Sequence, residues 1–267
     1  MERIKVLIHG LTGKMGQAIL PGIYQSQEVQ LVAGVSRNMG VTESVSLPDG
    51  SGYIAASSDL RSLLDRYTPD VVVDFTSAQG ALTAARISVP QGVHLVIGST
   101  GLQQSDLDEI QALCNQHQVG AVVAPNFALG AVILIHLAKQ LGNFFPYADV
   151  IEMHHEAKQD SPSGTSRALA SALIQGGKAR FERPMPDIEP VPGTRGGELD
   201  GVSIHAIRMA GKLAHHEIIL GTLGQTLTLR HDTISRECYV PGILASIQYV
   251  VQSKGLTIGL ETILGLE

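Results

Sequence analysis

Charge is scarce in this sequence: 16% of its 267 residues are Asp, Glu, Lys or Arg, where soluble domains carry about 25%. The 19 basic residues fall short of the 25 acidic ones, the formal net charge is −6, and no basic run occurs. Nucleic-acid binding needs a clustered positive footprint, so no nucleic-acid partner is expected. Cysteine is nearly absent. Cys114 and Cys238 stand far apart and offer neither a disulfide framework nor a CxxC site, which suits two thiols in a reducing compartment. Long hydrophobic runs are missing as well. The longest, residues 129–137, contains His136 and falls far short of the ~20 residues of a membrane span. Met1-Glu2-Arg3 leads straight into Ile4-Lys5-Val6-Leu7-Ile8, with no room for a signal or transit peptide. The expectation is a cytosolic protein without a membrane partner.

What the chain does have is apolar content and glycine. At 44% hydrophobic it can bury a core and is not disordered. At about 150 residues per domain, the length predicts one large domain or two modest ones. The 29 glycines follow no G-X-Y period and predict many tight turns. Low charge on such a chain suggests surface covered by other subunits.

Hydrophobic patterning divides the chain. Ile4–His9, Val29–Val35 and residues 71–75, 93–97 and 119–124 are short apolar runs of the buried parallel-strand kind. Helical spacing falls between them at residues 14–24, Ala78–Ser88 and 105–115. This alternation predicts βαβ units and a parallel sheet. Residues 38–52, rich in Gly, Ser and Pro, are expected to form a long loop. Past residue 126 the pattern changes. Helices are predicted at Leu129–Leu141 and 163–175, with a strand at 149–155 and an irregular connection over 181–200. Three strand candidates then follow at 202–209, 217–223 and 225–231. Consecutive strands joined by turns predict antiparallel pairing and a second, α+β domain. Residues 243–251 form a closing helix whose docking place the pattern does not give.

The strongest local motif is His9-Gly10-Leu11-Thr12-Gly13-Lys14-Met15-Gly16. It follows the first strand and opens the first helix, the context a dinucleotide fingerprint requires. Glycines let the backbone approach a pyrophosphate held on free N–H groups at the helix N-terminus. A glycine-rich turn without a ligand is the plain alternative, since the spacing is GxxGxxG rather than GxGxxG. NAD-selective sites place a carboxylate about 20 residues further on. Here the second strand ends Val35-Ser36-Arg37-Asn38, with no carboxylate between Glu28 and Glu43. A hydroxyl and a guanidinium suit a 2′-phosphate, which predicts NADPH in preference to NADH unless Arg37 is merely solvated.

A second concentration of chemistry is Glu152-Met153-His154-His155-Glu156-Ala157-Lys158-Gln159-Asp160-Ser161-Pro162-Ser163-Gly164-Thr165. Ser163-Gly164-Thr165 opens a helix and offers hydroxyl and N–H groups to a carboxylate. Lys158 adds a full positive charge, and the histidines titrate near neutral pH. Together they describe a pocket for a small acid that gains a proton. One core and one exposed histidine is the bland reading. A metal site on His154, His155 and Glu156 is disfavoured because neighbours on a strand point to opposite faces, so no metal is expected. His215-His216 is taken as a strand-end or interface pair.

These motifs, with Gly98-Ser99-Thr100-Gly101 and Ala124-Pro125-Asn126-Phe127 between them, resemble the 4-hydroxy-tetrahydrodipicolinate reductase (dihydrodipicolinate reductase) family, in its order and over nearly the whole chain. The resemblance implies an α/β fold: a Rossmann-type dinucleotide-binding domain over residues 1–126, joined by 236–267, and a substrate-binding and oligomerisation domain over 127–235. It implies NAD(P)H-dependent reduction of a cyclic unsaturated dicarboxylate in lysine and diaminopimelate biosynthesis, by a homotetramer built on the second domain's sheet. Gly10, Gly13, Lys14, Met15 and Gly16 would hold the pyrophosphate, and Ser36 and Arg37 the adenosine ribose. Gly98, Thr100, Ala124, Asn126 and Phe127 would border the nicotinamide, and Arg236 resembles a residue near the cofactor. His154 would donate the proton and Lys158 assist it. His155, Ser163, Gly164, Thr165 and Thr100 would bind substrate. The family's acidic residue after the second strand is Ser36 here. A ligand between two domains further suggests closure on binding. A different Rossmann-type dehydrogenase, a nucleotide sensor or a scaffold would lack His154, Lys158 or the Ser-Gly-Thr turn.

Overall fold

Short runs in which every residue is apolar cannot alternate between core and water, so they need both faces covered. The computed structural model, which describes residues 2–40, 43–177 and 180–266, meets that need with helices on both sides of a parallel sheet. The chain forms two units, Met1–Ala128 with Arg236–Glu267, and Leu129–Ser235. In the first, β1 (Ile4–His9) leads through α1 (Lys14–Gln25) to β2 (Val29–Val35). The long loop expected at 38–52 is corrected: its residues 41 and 42 lie outside the described ones, but β3 (Glu43–Ser46) pairs antiparallel with β4 (Tyr53–Ser57). A mostly polar strand carries no hydrophobic signal, so patterning missed it. Patterning also missed α2 (Leu60–Tyr67), which buries Leu60, Leu63 and Leu64 and is capped by Asp59 accepting from the Ser62 N–H. Then come β5 (Val71–Asp74), α3 (Ala78–Ser88), β6 (His94–Ile97), α4 (Gln104–His117) and β7 (Gly120–Val123).

The second unit contains α5 (Leu129–Leu141), β8 (Tyr147–His154), α6 (Gly164–Gly176), β9 (Gly197–Leu199), β10 (Val202–Arg208), β11 (Ala214–Thr222) and β12 (Gln225–Thr233). Among the described residues the strands lie in the order β12-β11-β8-β10-β9. The antiparallel expectation holds for β11 with β8 and with β12, and fails for β10, which runs parallel to β8. The reason is α6: a helical crossover returns the chain in the same direction. Both helices cover one face of the sheet, with Leu134 of α5 and Leu169 and Leu173 of α6 packed with Val150, Ile204, Ile218 and Leu220. Along β8 that face takes Ala148, Val150, Glu152 and His154, all buried. A carboxylate and an imidazole therefore occupy positions where the pattern calls for apolar side chains.

The chain then returns to the first unit with α7 (Val240–Val250), β13 (Gly255–Ile258) and α8 (Glu261–Leu264). Strand β13 lies parallel to β7 at one edge, giving the described order β13-β7-β6-β5-β1-β2-β4-β3. The sequence had not signalled β13. No helix among the described residues is long and apolar enough to cross a membrane.

Helices α5 and α6 approach closely through glycine. A methyl at Gly176 would lie 1.7 Å from the Lys139 carbonyl oxygen, and one at Gly142 2.1 Å from that of Leu173. Gly176→Ala must push the helices apart. We expect a loss of about 1–3 kcal/mol, read as a fall in thermal midpoint at about 2–4 °C per kcal/mol. An unchanged midpoint would refute this close packing.

Candidate active site

In the first unit, strand order reverses at β1 and β5, and open α/β sheets leave their ligand crevice at the carboxyl ends of such a pair. Gly10 follows β1 with φ +94°, where only glycine sits without strain. Gly13 caps α1 with no side-chain hydrogen bond, so the first-turn N–H groups at Lys14, Met15 and Gly16 meet no side-chain acceptor there. A Cβ on Gly16 would stand 2.2 Å from the Gly10 carbonyl oxygen. The turn is thus drawn as tight as a bare backbone permits, which leaves a cradle suited to a pyrophosphate. Ser36, directly after β2, is buried and hydrogen-bonds through its hydroxyl to Thr12, while Arg37 is exposed.

Beside the cradle one buried carboxylate, Asp74, gathers three strand ends. His9 Nδ1 lies 2.6 Å from it, Thr76 Oγ1 donates to it at 2.8 Å, and Ser99 Oγ also donates. A Cβ on Gly98 would sit 2.1 Å from the Phe75 ring, which meets Phe127 edge-to-face at 5.7 Å. Ala124 and Phe127 are buried, and Asn126 Oδ1 accepts from the Ala128 N–H at 2.9 Å. Thr100 is exposed next to this cluster in sequence. Arg236, also exposed, opens a 3-10 turn, Arg236–Tyr239, that packs on α1.

In the second unit, Glu152 has no solvent exposure. It accepts from the Ser163 N–H at 3.1 and 3.2 Å, from Ser166 Oγ at 2.9 Å and from Arg208 Nη2 at 2.7 Å. Burial pushes its pKa up, but Ser163, Arg208 and Ser166 outweigh that and leave it below the ordinary value. His216 stands opposite it in register on β11, with Nε2 3.2 Å from Ser163 Oγ and its ring 5.3 Å from that of His154. His154 Nδ1 lies 3.4 Å from Glu152 Oε2 without making a hydrogen bond. Glu152, His154 and His216 bring ligand-capable atoms within 4.8 Å of one another. Within this cluster Glu152 is paired with Arg208 at 2.7 Å, and the two imidazoles beside it are neutral near pH 7. Lys158 Nζ holds Asp160 at 2.7 Å.

The chain's two halves match two family models, dihydrodipicolinate reductase N-terminus over residues 4–127 and C-terminus over 130–264. The chain belongs to the dihydrodipicolinate reductase family. It is 45% identical over 266 residues to the 4-hydroxy-tetrahydrodipicolinate reductase of Dehalococcoides mccartyi strain 195, covering 100% of both chains. It is 42% identical to that of Moorella thermoacetica, covering 98% of each. A solved relative, the dipicolinate-bound dihydrodipicolinate reductase of Paenisporosarcina sp. TG-14, is similar with TM-score 0.86 at 33% identity, covering 98% of this chain and 100% of that one. The Rossmann-type first unit supports NAD(P)H as the cofactor class.

Within this family member, several sequence-derived residues gather inside each unit. His154 and Ser163 share the Glu152 network, and Gly164 and Thr165 follow in the first turn of α6. Ser163 caps α6. It is 3% exposed, and its hydroxyl caps the Ser166 N–H and meets His216, so its side chain frames the turn instead of facing solvent. His155 is half-buried and lies beyond β8. Sequence reasoning missed Glu152, Arg208 and His216. His215 and His216 stand at the start of β11, as the strand-end reading expects; the interface alternative does not hold for His216, 5% exposed inside the unit, whereas His215 bonds Asp232. A usable signal existed: Glu152 and His154 are two apart on one strand and must share a face.

Burial is the main cause that lowers the His154 and His216 pKa values to about 4 each; Lys158 and Arg208 lower His154 further against the opposing pull of Glu152, and His154 lowers His216 further. Both are neutral in the folded protein at pH 7. The unfolded chain takes up these protons near pH 6.5, so their contribution to stability is complete above that pH and is lost as pH falls toward 4. Each contributes a slope of up to about 1.4 kcal/mol per pH unit. His216→Gln should flatten the fall of thermal midpoint between pH 6.5 and 4.5; an unaltered slope would contradict its buried neutral state.

Proposed function

We propose that this chain reduces 4-hydroxy-tetrahydrodipicolinate to tetrahydrodipicolinate, consuming NAD(P)H and a proton and releasing NAD(P)+ and water, in lysine and diaminopimelate biosynthesis. The observation that carries this reading is the proton-donor and anion-binding set His154, Lys158 and Ser163-Gly164-Thr165 in a member of this reductase family. The dipicolinate held by the similar Paenisporosarcina protein has the same two-carboxylate pattern as the proposed substrate. The cofactor supplies the hydride when bound. Gly10, Gly13, Lys14, Met15 and Gly16 hold its pyrophosphate, and Gly98, Thr100, Ala124, Asn126, Phe127 and Arg236 border the rest.

Hydride arrival leaves negative charge on the conjugated ring, which His154 neutralises with a proton. A positioned acid of this kind contributes about 10²–10⁴ in rate. The free site holds His154 neutral, with burial the main cause. Substrate carboxylates beside it favour the imidazolium, so the acid is charged when the dianion is in place. Lys158 exchanges Asp160 for a substrate carboxylate, and the N–H groups of Gly164 and Thr165, with His155, orient the ring. Ser163 frames that turn. Expected outcomes are a kcat loss with little change in KM for His154→Gln, and losses in both for Lys158→Ala. Full kcat in His154→Gln would remove the proton-donor role.

NADPH is proposed over NADH, because Ser36 and Arg37 offer a hydroxyl and a guanidinium where a carboxylate would repel a 2′-phosphate. Arg37→Ala should raise KM for NADPH several-fold more than for NADH; equal kcat/KM for the two in the parent enzyme would end this preference. We also propose a cytosolic homotetramer, supported by two cysteines that form no disulfide and by the sheet face of the second unit opposite its helices. Tyr147 and Ile207 are 41% and 37% exposed there, beside half-buried Ile151, Met153 and Ile219.

A further inference from the structure

Three observations in the second unit have no part in the reaction as derived above. Glu152 is a fully buried carboxylate that touches no solvent, yet it stays ionised among donors from β8's neighbour strand and from α6. His154 Nδ1 is a buried nitrogen with no hydrogen-bond partner among the described residues, 3.4 Å from Glu152 Oε2. Arg208 Nη2 donates to the same carboxylate at 2.7 Å and to the Asp160 carbonyl oxygen at 2.7 Å, joining it to the segment that carries Lys158.

A histidine that gives up a proton from Nε2 must first hold protons on both nitrogens. Its Nδ1–H then needs an acceptor, and its positive charge needs a counter-charge. Glu152 Oε2 is the carboxylate oxygen within reach, and a small turn of the imidazole closes 3.4 Å to a charge-assisted hydrogen bond. We propose that Glu152 is a positioning residue with two tasks: it supplies the counter-charge and Nδ1 acceptor for the His154 imidazolium, and it fixes the Ser163-Gly164-Thr165 turn through the Ser163 N–H. Arg208 opposes the first task by neutralising Glu152 until substrate arrives. One buried charge thus links the anion-binding turn to the acid, which deepens the reading under Proposed function and rests on it.

The charged and titratable groups facing His154 are Glu152 from its own strand, Lys158 and Asp160 from the following segment, Arg208 from β10 and His216 from β11. Their signs make the idea testable. Removing the Glu152 charge should leave His154 harder to protonate, and removing the Arg208 charge should make it easier.

The experiment is a pH titration of carbon-13-labelled histidine by NMR, from pH 4 to 8, with and without dipicolinate as dicarboxylate probe. The His154 signal is identified by its loss in His154→Gln. The expected result is a midpoint in Arg208→Gln at least one pH unit above the parent. Glu152→Gln should show no His154 protonation down to pH 4 without the probe, and a rise on adding dipicolinate at least one unit smaller than the parent's. Glu152→Asp should recover most of that rise, and Ser166→Ala, which removes a donor to Glu152 but no charge, should leave the midpoint unchanged. In turnover, Glu152→Gln should lower kcat tenfold or more and move the high-pH fall of kcat to lower pH. Coincident His154 midpoints in the parent, Arg208→Gln and Glu152→Gln overturn the proposal. Should Glu152→Gln not fold, an unshifted midpoint in Arg208→Gln overturns it alone. Because the titration reads His154 without turnover, it is separate from the His154→Gln kinetics that test the reaction itself.

Discussion

An ionised carboxylate survives without solvent only where donors enclose it, and Glu152 imposes that condition on everything around it. It lies on the face of β8 that α5 and α6 cover, where an apolar residue would cost nothing to bury. Its charge holds because Arg208 reaches across from β10, Ser166 turns inward from α6, and the Ser163 N–H meets both oxygens. Removing one partner of such a buried pair leaves an uncompensated charge and costs about 3–5 kcal/mol. Satisfying this one group ties it to the start of α6 and sets it beside His154.

The first unit uses the same device in a different place. Asp74 is as buried as Glu152 and binds the ends of β1, β5 and β6 through His9, Thr76 and Ser99. Those ends carry the cradle glycine Gly10 and the Gly98-Ser99-Thr100 turn. In both units the loops proposed to meet a ligand are irregular backbone, and a buried carboxylate ties that backbone down from beneath. This is the arrangement preorganisation requires: small anionic ligands are oriented by groups that do not themselves move.

Much of the fold was legible because parallel strands buried on both faces leave unbroken apolar runs, as at Ile4–His9 and Val29–Val35. Among the elements that escaped are the polar strand β3, the short helix α2 and the edge strand β13, which depends on its pairing with β7. Motif residues were legible where chemistry fixes local spacing, as in Gly10-Leu11-Thr12-Gly13 or Ser163-Gly164-Thr165. Arg208 and His216 were not, since each stands more than 40 positions from the residues it serves and looks like any strand residue in isolation.

Local spacing alone determined the buried parallel strands β1, β2, β5, β6 and β7 with the helices α1, α3 and α4, the glycine turn that opens α1, and the histidine–lysine segment ahead of a helix N-terminus. Each is a property of neighbours in sequence, governed by backbone sterics and periodicity. Only the tertiary structure decided that β10 returns parallel to β8, that His216 faces Glu152 across a strand pair, and that His154 is neutral in the free protein. Those outcomes depend on burial and on charges brought from distant segments, and both exist only once the sheet has assembled.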